Sequence, residues 1–264
     1  MAIVASKRGA AYTSRPMERE SGAYLRFTSD LLGRLARTNR NALGRAAALV
    51  SRAIQEDGLI HLFGTGHSSL VAQEAFFRAG GLVNVNPMIE LPWMVYHRPL
   101  GAAVIERSIK PAAGIFRRHK FSKGDVAILV SNSGRNVLPV EVAHRLKALG
   151  IPTIGISSLK HARSAGSRHP SGKNLVQVVD VVLDNGGAVG DAAVRLPGGS
   201  RMGPTSAVAA FALLHAALVG GTARAIRAGA RPVVLESANL KGKRLSEYRA
   251  LFRRYCRRVP WLRG

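Results

Sequence analysis

Twice in this chain an apolar run of strand length ends in a hydroxyl- and glycine-rich turn and reopens as a helical pattern. The first unit is Leu59-Ile60-His61-Leu62-Phe63, then Gly64-Thr65-Gly66-His67-Ser68-Ser69, then a helix-spaced stretch from Leu70 to Ala79. The second is Val126-Ala127-Ile128-Leu129-Val130, then Ser131-Asn132-Ser133-Gly134-Arg135-Asn136, then Val137 to Leu149. A continuous β-branched run between polar turns fits a strand buried on both faces, as in a parallel sheet. Each turn brings free backbone N–H groups to a helix start, where the partial positive charge favours an anion such as phosphate. Ser, Asn and Gly are also plain helix starters, so one such turn decides nothing. Two of them at one sheet edge point to a ligand site, because open α/β sheets bind at the carboxyl ends of their strands. A phosphorylated ligand is therefore expected beside Gly66, His67, Ser68, Ser131, Asn132, Ser133, Arg135 and Asn136.

The rest of the chain is organised around these units. Residues 1–22 are polar and basic without periodicity and read as a flexible extension. Ala23 to Glu56 repeats apolar residues at helical steps, with a break near Asn39–Asn41, and forms an N-terminal helical layer. Further strands are expected at Leu82–Val85, Thr153–Ser157 and Val176–Leu183. Thr205 to Ala228 is apolar nearly all round, so it should be a buried helix. Strands alternating with helices imply an α/β fold: a doubly wound, flavodoxin-like parallel sheet of five strands in the order 2-1-3-4-5. It would be one domain over 23–240, with the helical layer at 23–56 and the sheet core at 57–228, followed by a basic tail at 241–264. The long connection from Pro87 to Lys123 carries Trp93, Tyr96, His97 and Glu106, has helical character from Ile105 to His119, and reads as a lid or a subunit contact.

Composition removes several function classes. Lys and Arg total 39 against 15 acids, a formal charge of +24, which raises nucleic-acid binding as a question. Yet the arginines are scattered along helices, and no base-reading motif is present, so nucleic acid is not expected as a partner. The densest block follows Lys241, with Glu247 its one acid; it reads as a solvated arm or as a surface for an acidic partner subunit. A single cysteine, Cys256, leaves neither an internal disulfide nor a thiolate metal site. No apolar run reaches the ~18 residues that a membrane span needs, and the first residues lack a signal-peptide core, so a soluble cytoplasmic protein is expected. The dinucleotide fingerprint fails at Ser69, where its third glycine would stand. No nucleotide-binding phosphate loop occurs, and Ser133 lacks the preceding glycine of a nucleophile elbow. No cofactor or metal is expected.

Three of these stretches carry a family resemblance. Gly64-Thr65-Gly66-His67-Ser68, Ser131-Asn132-Ser133-Gly134-Arg135, and Gly203-Pro204-Thr205-Ser206 before the long helix are similar to the sugar isomerase (SIS) domain, over roughly Ala23 to Ala228. Asn86-Pro87, Ser167-Arg168-His169 with Ser171-Gly172-Lys173, and Ser237-Ala238-Asn239 resemble a single-domain bacterial branch of that family. The family includes phosphoheptose isomerase, other sugar-phosphate isomerases, an etherase and sugar-sensing regulators. The resemblance implies that Ser68, Ser131, Ser133, Thr205 and Ser206 hold a sugar phosphate, and that the chain assembles as a homodimer or homotetramer through its helices. It implies a sugar-phosphate isomerase, or a related lyase or deaminase; the alternative is a non-catalytic phosphosugar sensor.

Moving a carbonyl along a sugar requires a general base within reach of a carbon-bound proton. Glu90, just past the second strand, Glu74 on the first motif helix, and His169 in a polar loop are the catalytic candidates, with His67 and His97 as further titratable groups. The chain departs from phosphoheptose isomerase near Phe77-Arg78, where that enzyme's glutamate would align and no acid stands here. This departure favours the sensor reading.

Overall fold

The structure, a computed structural model, describes residues 17–94, 99–237, 239 and 252–262. The N-terminal layer is two helices, α1 (Arg19–Thr38) and α2 (Arg40–Gln55). Asn39 breaks them apart, and its buried side chain exchanges two hydrogen bonds with the backbone of Asp184. The helical break seen in the sequence is therefore also the pin that fixes this layer to the sheet. Most of the anticipated 1–22 extension lies outside the described residues, but the helix starts at Arg19, four residues before Ala23.

Five parallel strands follow: β1 (Ile60–Gly64), β2 (Val85–Met88), β3 (Val126–Val130), β4 (Thr153–Ser157) and β5 (Val181–Asp184). They lie in the order 2-1-3-4-5. The connecting helices are α3 (Ser69–Glu74), α4 (Pro99–Ile105), α5 (Lys110–Arg118), α6 (Val137–Ala148), α7 (Leu159–Ser164) and α8 (Leu175–Val178). A short hairpin, β6 (Val194–Arg195) and β7 (Arg201–Met202), leads into α9 (Ser206–Arg227). Strand side chains alternate between two cores. Ile60, Leu62, Ile128 and Ile154 face α2, α3 and α9. Phe63, Ala127 and Leu129 face α5, α6 and α8. The sheet is thus wound on both sides.

Three elements differ from the sequence pattern, each for a visible reason. The second strand runs over 85–88 rather than 82–85, because Gly80, Gly81 and Val83 form antiparallel hydrogen bonds with Val233 and Leu235 instead. The fifth strand starts only at Val181. Upstream, the Gln177 side chain accepts the Asn174 N–H at 2.9 Å, and the Gln177 N–H bonds the Asn174 carbonyl, which commits residues 175–178 to a helical turn despite their β-branched character. The first motif helix stops at Glu74, and Phe77 takes a left-handed φ of 45°. Contrary to the expectation that no apolar run is long enough, α9 is long and apolar enough to cross a membrane by length and composition. Its buried residues, including Ala210, Leu214 and Ala217, belong to the core against the sheet.

Residues 241–251 of the basic tail lie outside the described residues. Residues 252–262 pack on this domain, with Tyr255 and Val259 in a cluster beside Leu59 and Val83. Arg258 bonds both carboxylate oxygens of Asp125, at 2.7 and 2.6 Å. The solvated-arm expectation does not describe these eleven residues.

Candidate functional site

The two turns meet at the carboxyl edge of the sheet, where β1 and β3 are neighbours. The β1 turn must come close to its own strand: a Cβ on Gly64 would lie 2.3 Å from the carbonyl oxygen of Ser68. Ser69 then caps back onto Gly66 with a 2.7 Å hydrogen bond from its hydroxyl. The β3 turn is closed by Gly134, which has φ 65° and donates its N–H to the carbonyl and hydroxyl oxygens of Ser131. A side chain at Gly134 would be strained in backbone and would crowd the hydroxyl of Ser157.

Between them lies a cavity of about 460 Å³. Gly66, His67 and Ser68 line it from β1, Asn132 from β3, and Ser206 from the start of α9. Ser131 and Thr205 are buried behind the wall, and neither they nor Ser133, Arg135 and Asn136 line it. The Arg135 guanidinium donates to the Gly166 carbonyl. Asn136 donates its amide to Glu106 and accepts from Arg168. The residues expected at the β3 turn thus divide into one that faces the cavity and several that build the turn behind it.

The three catalytic candidates fall elsewhere. Glu74 pairs with Arg78 and stands 3.5 Å from His215, in a groove between α3 and α9. Glu90 pairs with Arg118 at 2.8 Å beside Trp93, in a separate recess. His169 lies between Glu141, at 3.1 Å, and Ser171, at 2.8 Å, against α6. Each has a local partner that accounts for its position, and none lines the cavity. His97 lies outside the described residues.

What the sequence reading missed are Thr65, Glu106, Asn185 and Asp191, all on the cavity wall. Glu106 follows α4 and faces inward with Pro99, Ala102 and Ala103. Thr65 donates its hydroxyl to one carboxylate oxygen at 3.0 Å and Asn136 its amide to the other at 2.7 Å. The side chain therefore ties the β1 turn to the β3 turn. Burial pushes the Glu106 carboxyl above the usual range; the bond from Thr65, the nearby Arg107 and Arg168, and the bond from Asn136 oppose this without cancelling it. The only sequence signal was an acid in an overlong connection. Its alignment with the turns is a tertiary fact.

Comparison with known proteins agrees with this architecture. Residues 23–158 match the model of the SIS domain, which is just over half of the chain, and the protein belongs to that family. Its relatives include a UPF0309 protein of Geobacillus thermodenitrificans, 37% identical over 90% of this chain and 96% of its own. Another, from Halalkalibacterium halodurans, is 35% identical over 83% and 91%. Among solved structures, phosphoheptose isomerase from Neisseria gonorrhoeae shares the fold at 14% identity and a TM-score of 0.50, over 77% of this chain and 97% of that one.

Proposed function

We propose that this protein binds a sugar phosphate in the cavity and moves a proton on it, as an aldose–ketose isomerase or a related lyase or deaminase, with Glu106 as the base. The observation that carries the reading is Glu106 itself: a carboxylate on the cavity wall, held by both ligand turns, with its proton affinity raised by burial. A general base for carbon acids works better as its proton affinity approaches the operating pH. The donors of the 66–68 turn and Asn132 would take the phosphoryl group, with no lysine or arginine on the wall among the described residues, as helix starts do.

The test is solvent-deuterium exchange into bound sugar phosphates, after a thermal-shift panel of pentose, hexose, heptose and amino-sugar phosphates. Wild type should introduce deuterium; Glu106→Gln should lose roughly 10²–10⁴-fold of that rate while still binding. One observation favours the sensor alternative: both Glu106 oxygens already accept hydrogen bonds from the protein. In that case Glu106 is a brace, wild type binds ligand without exchange, and Glu106→Gln alters affinity alone.

A further inference from the structure

Thr205 and Ser206, at the start of α9, carry the motif that the resemblance assigns to phosphate. In the structure both of their backbone N–H groups and the Ser206 hydroxyl are already taken. Asp191 accepts the Thr205 N–H at 2.9 Å and the Ser206 N–H at 3.0 Å on one oxygen, and the Ser206 hydroxyl on the other. Thr205 supplies no side-chain cap, and the first turn of α9 contains no acid of its own. The carboxylate comes from the loop before β6 and takes the place a phosphoryl oxygen would need. Asp191 also lines the cavity, together with Pro204 and Ser206, on the wall formed by the start of α9.

We propose that Asp191 is a specificity-determining residue of the cavity: it closes the α9 end to phosphate and presents an acceptor to the sugar's hydroxyl or amino group. The inference rests on the sugar-phosphate reading of the cavity and goes beyond it by assigning an orientation. A carboxylate that already accepts three hydrogen bonds has its charge fixed in place, and a phosphoryl dianion brought there would meet like charge at contact distance. The 66–68 turn and Asn132 place no carboxylate on the cavity wall, so the phosphoryl group belongs at that end. What approaches Asp191 must donate a hydrogen bond. Sugar hydroxyls and amines do so; phosphate at neutral pH does so poorly.

The loop is built to hold this carboxylate. Asp191 has φ 50° beside Gly190 at φ 80°, and its N–H closes a turn onto Ala188. After the hairpin, the Ala193 N–H returns to the Gly203 carbonyl, and the Tyr24 hydroxyl holds the Pro204 carbonyl from α1. Asn tolerates the same left-handed backbone and caps helices as well as Asp. Asp191→Asn therefore removes the charge while keeping the loop.

The experiment is isothermal titration of wild type and Asp191→Asn with two probes: inorganic phosphate and the best-binding sugar phosphate from the panel. The expected result is opposite signs. Phosphate tightens by roughly tenfold in the variant as the repelling charge goes, and the sugar phosphate weakens as its acceptor is lost. Changes of the same sign for both probes, or no change in either, overturn the role of Asp191. If wild type binds no sugar phosphate, the functional reading fails, and the phosphate arm still decides: a gain in the variant upholds exclusion at α9, and no gain overturns it.

Discussion

The two edges of the sheet carry polar clusters of opposite character. At the carboxyl edge, Ser68, Asn132, Glu106 and Asp191 face an open cavity. At the amino edge, Asp125 lies fully buried before β3 and accepts from the N–H groups of Leu59 and Ser122, both at 2.8 Å, from His61 at 3.0 Å and from Arg258. His61 passes the network on to Asn86, at 2.8 Å, and Asn86 reaches His119 at 3.2 Å. Burial holds both imidazoles below their usual range, His119 at about 3, so both are neutral. Neutral His61 accepts from Asn86 on Nδ1 and donates to Asp125 from Nε2. The upper cluster leaves acceptors turned to a guest. The lower one turns nearly all of its hydrogen bonding inward and uses Arg258 of the C-terminal segment to neutralise its one charge. On the proposed function, chemistry-bearing residue types thus serve ligand binding at one edge and folding at the other, and only exposure to a cavity separates the two.

The strongest way to break this contrast is Asp125→Ala. It strands the Arg258 guanidinium and the two backbone donors, and removing one partner of a buried ion pair costs about 3–5 kcal/mol. Urea melts should show that loss, and whatever folds should bind sugar phosphate as wild type does. Glu106→Gln should do the reverse, removing turnover without lowering stability. If Asp125→Ala weakened ligand binding at unchanged stability, the division between the edges would be wrong.

Why some of this was legible in the sequence and some was not follows from the same division. β1, β3 and their turns are local signals: a buried strand needs a run of apolar residues, and a tight turn needs Gly64 and Gly134. Strand order followed from alternation and the handedness of crossovers. Glu106 and Asp191 were not legible, because each reaches the site from a connection that carries no periodic pattern and meets its partners at sequence separations of 14 or more. Glu74, Glu90 and His169 drew attention for their residue type and their nearness to motifs, yet Arg78, Arg118 and Glu141 stand beside them. In residues 252–262, charge alone does not show what the segment packs on. Arg258 and Trp261 are recognisable as anchors only once Asp125 and Pro87 are seen beneath them.

A smaller effect sharpens the comparison through pH. Burial opposes the charge on Asp125, but the bonds from His61, Arg258 and Leu59 outweigh it and hold the carboxyl at about 2. Its unfolded value is near 4, so ionised Asp125 contributes on the order of 2 kcal/mol, present above pH ~4 and lost as pH falls towards 2. Glu106 has the opposite sign: its carboxyl is raised, so its contribution to stability is complete in acid and lost as pH rises through its folded value. Urea melts across this range should show stability falling below pH ~4 in wild type, and Asp125→Asn should flatten that limb. Glu106→Gln should leave the limb intact and act only on the higher side. A flat acid limb in wild type would mean that Asp125 is not paired as described.

The smallest of these effects tests whether the C-terminal segment is part of the lower edge at all. Trp261 donates its indole N–H to the Pro87 carbonyl at 2.8 Å, on the outer strand β2. Trp261 is 44% exposed, so packing holds it only in part. Trp261→Phe keeps most of the ring and removes the donor, and the loss should be that of one partly solvated hydrogen bond, about 1 kcal/mol. Arg258 and Tyr255 grip the same segment through Asp125 and Asp57, so the variant should stay docked, and amide exchange at Val259 should rise only modestly. A collapse of protection along 252–262 would make Trp261 the main anchor and demote the Asp125 pair. An unchanged melt with unchanged exchange would show that the ion pair, the Tyr255 bond and the apolar cluster hold the segment without Trp261, which makes Asp125→Ala the more severe lesion and leaves the cavity edge untouched in either case.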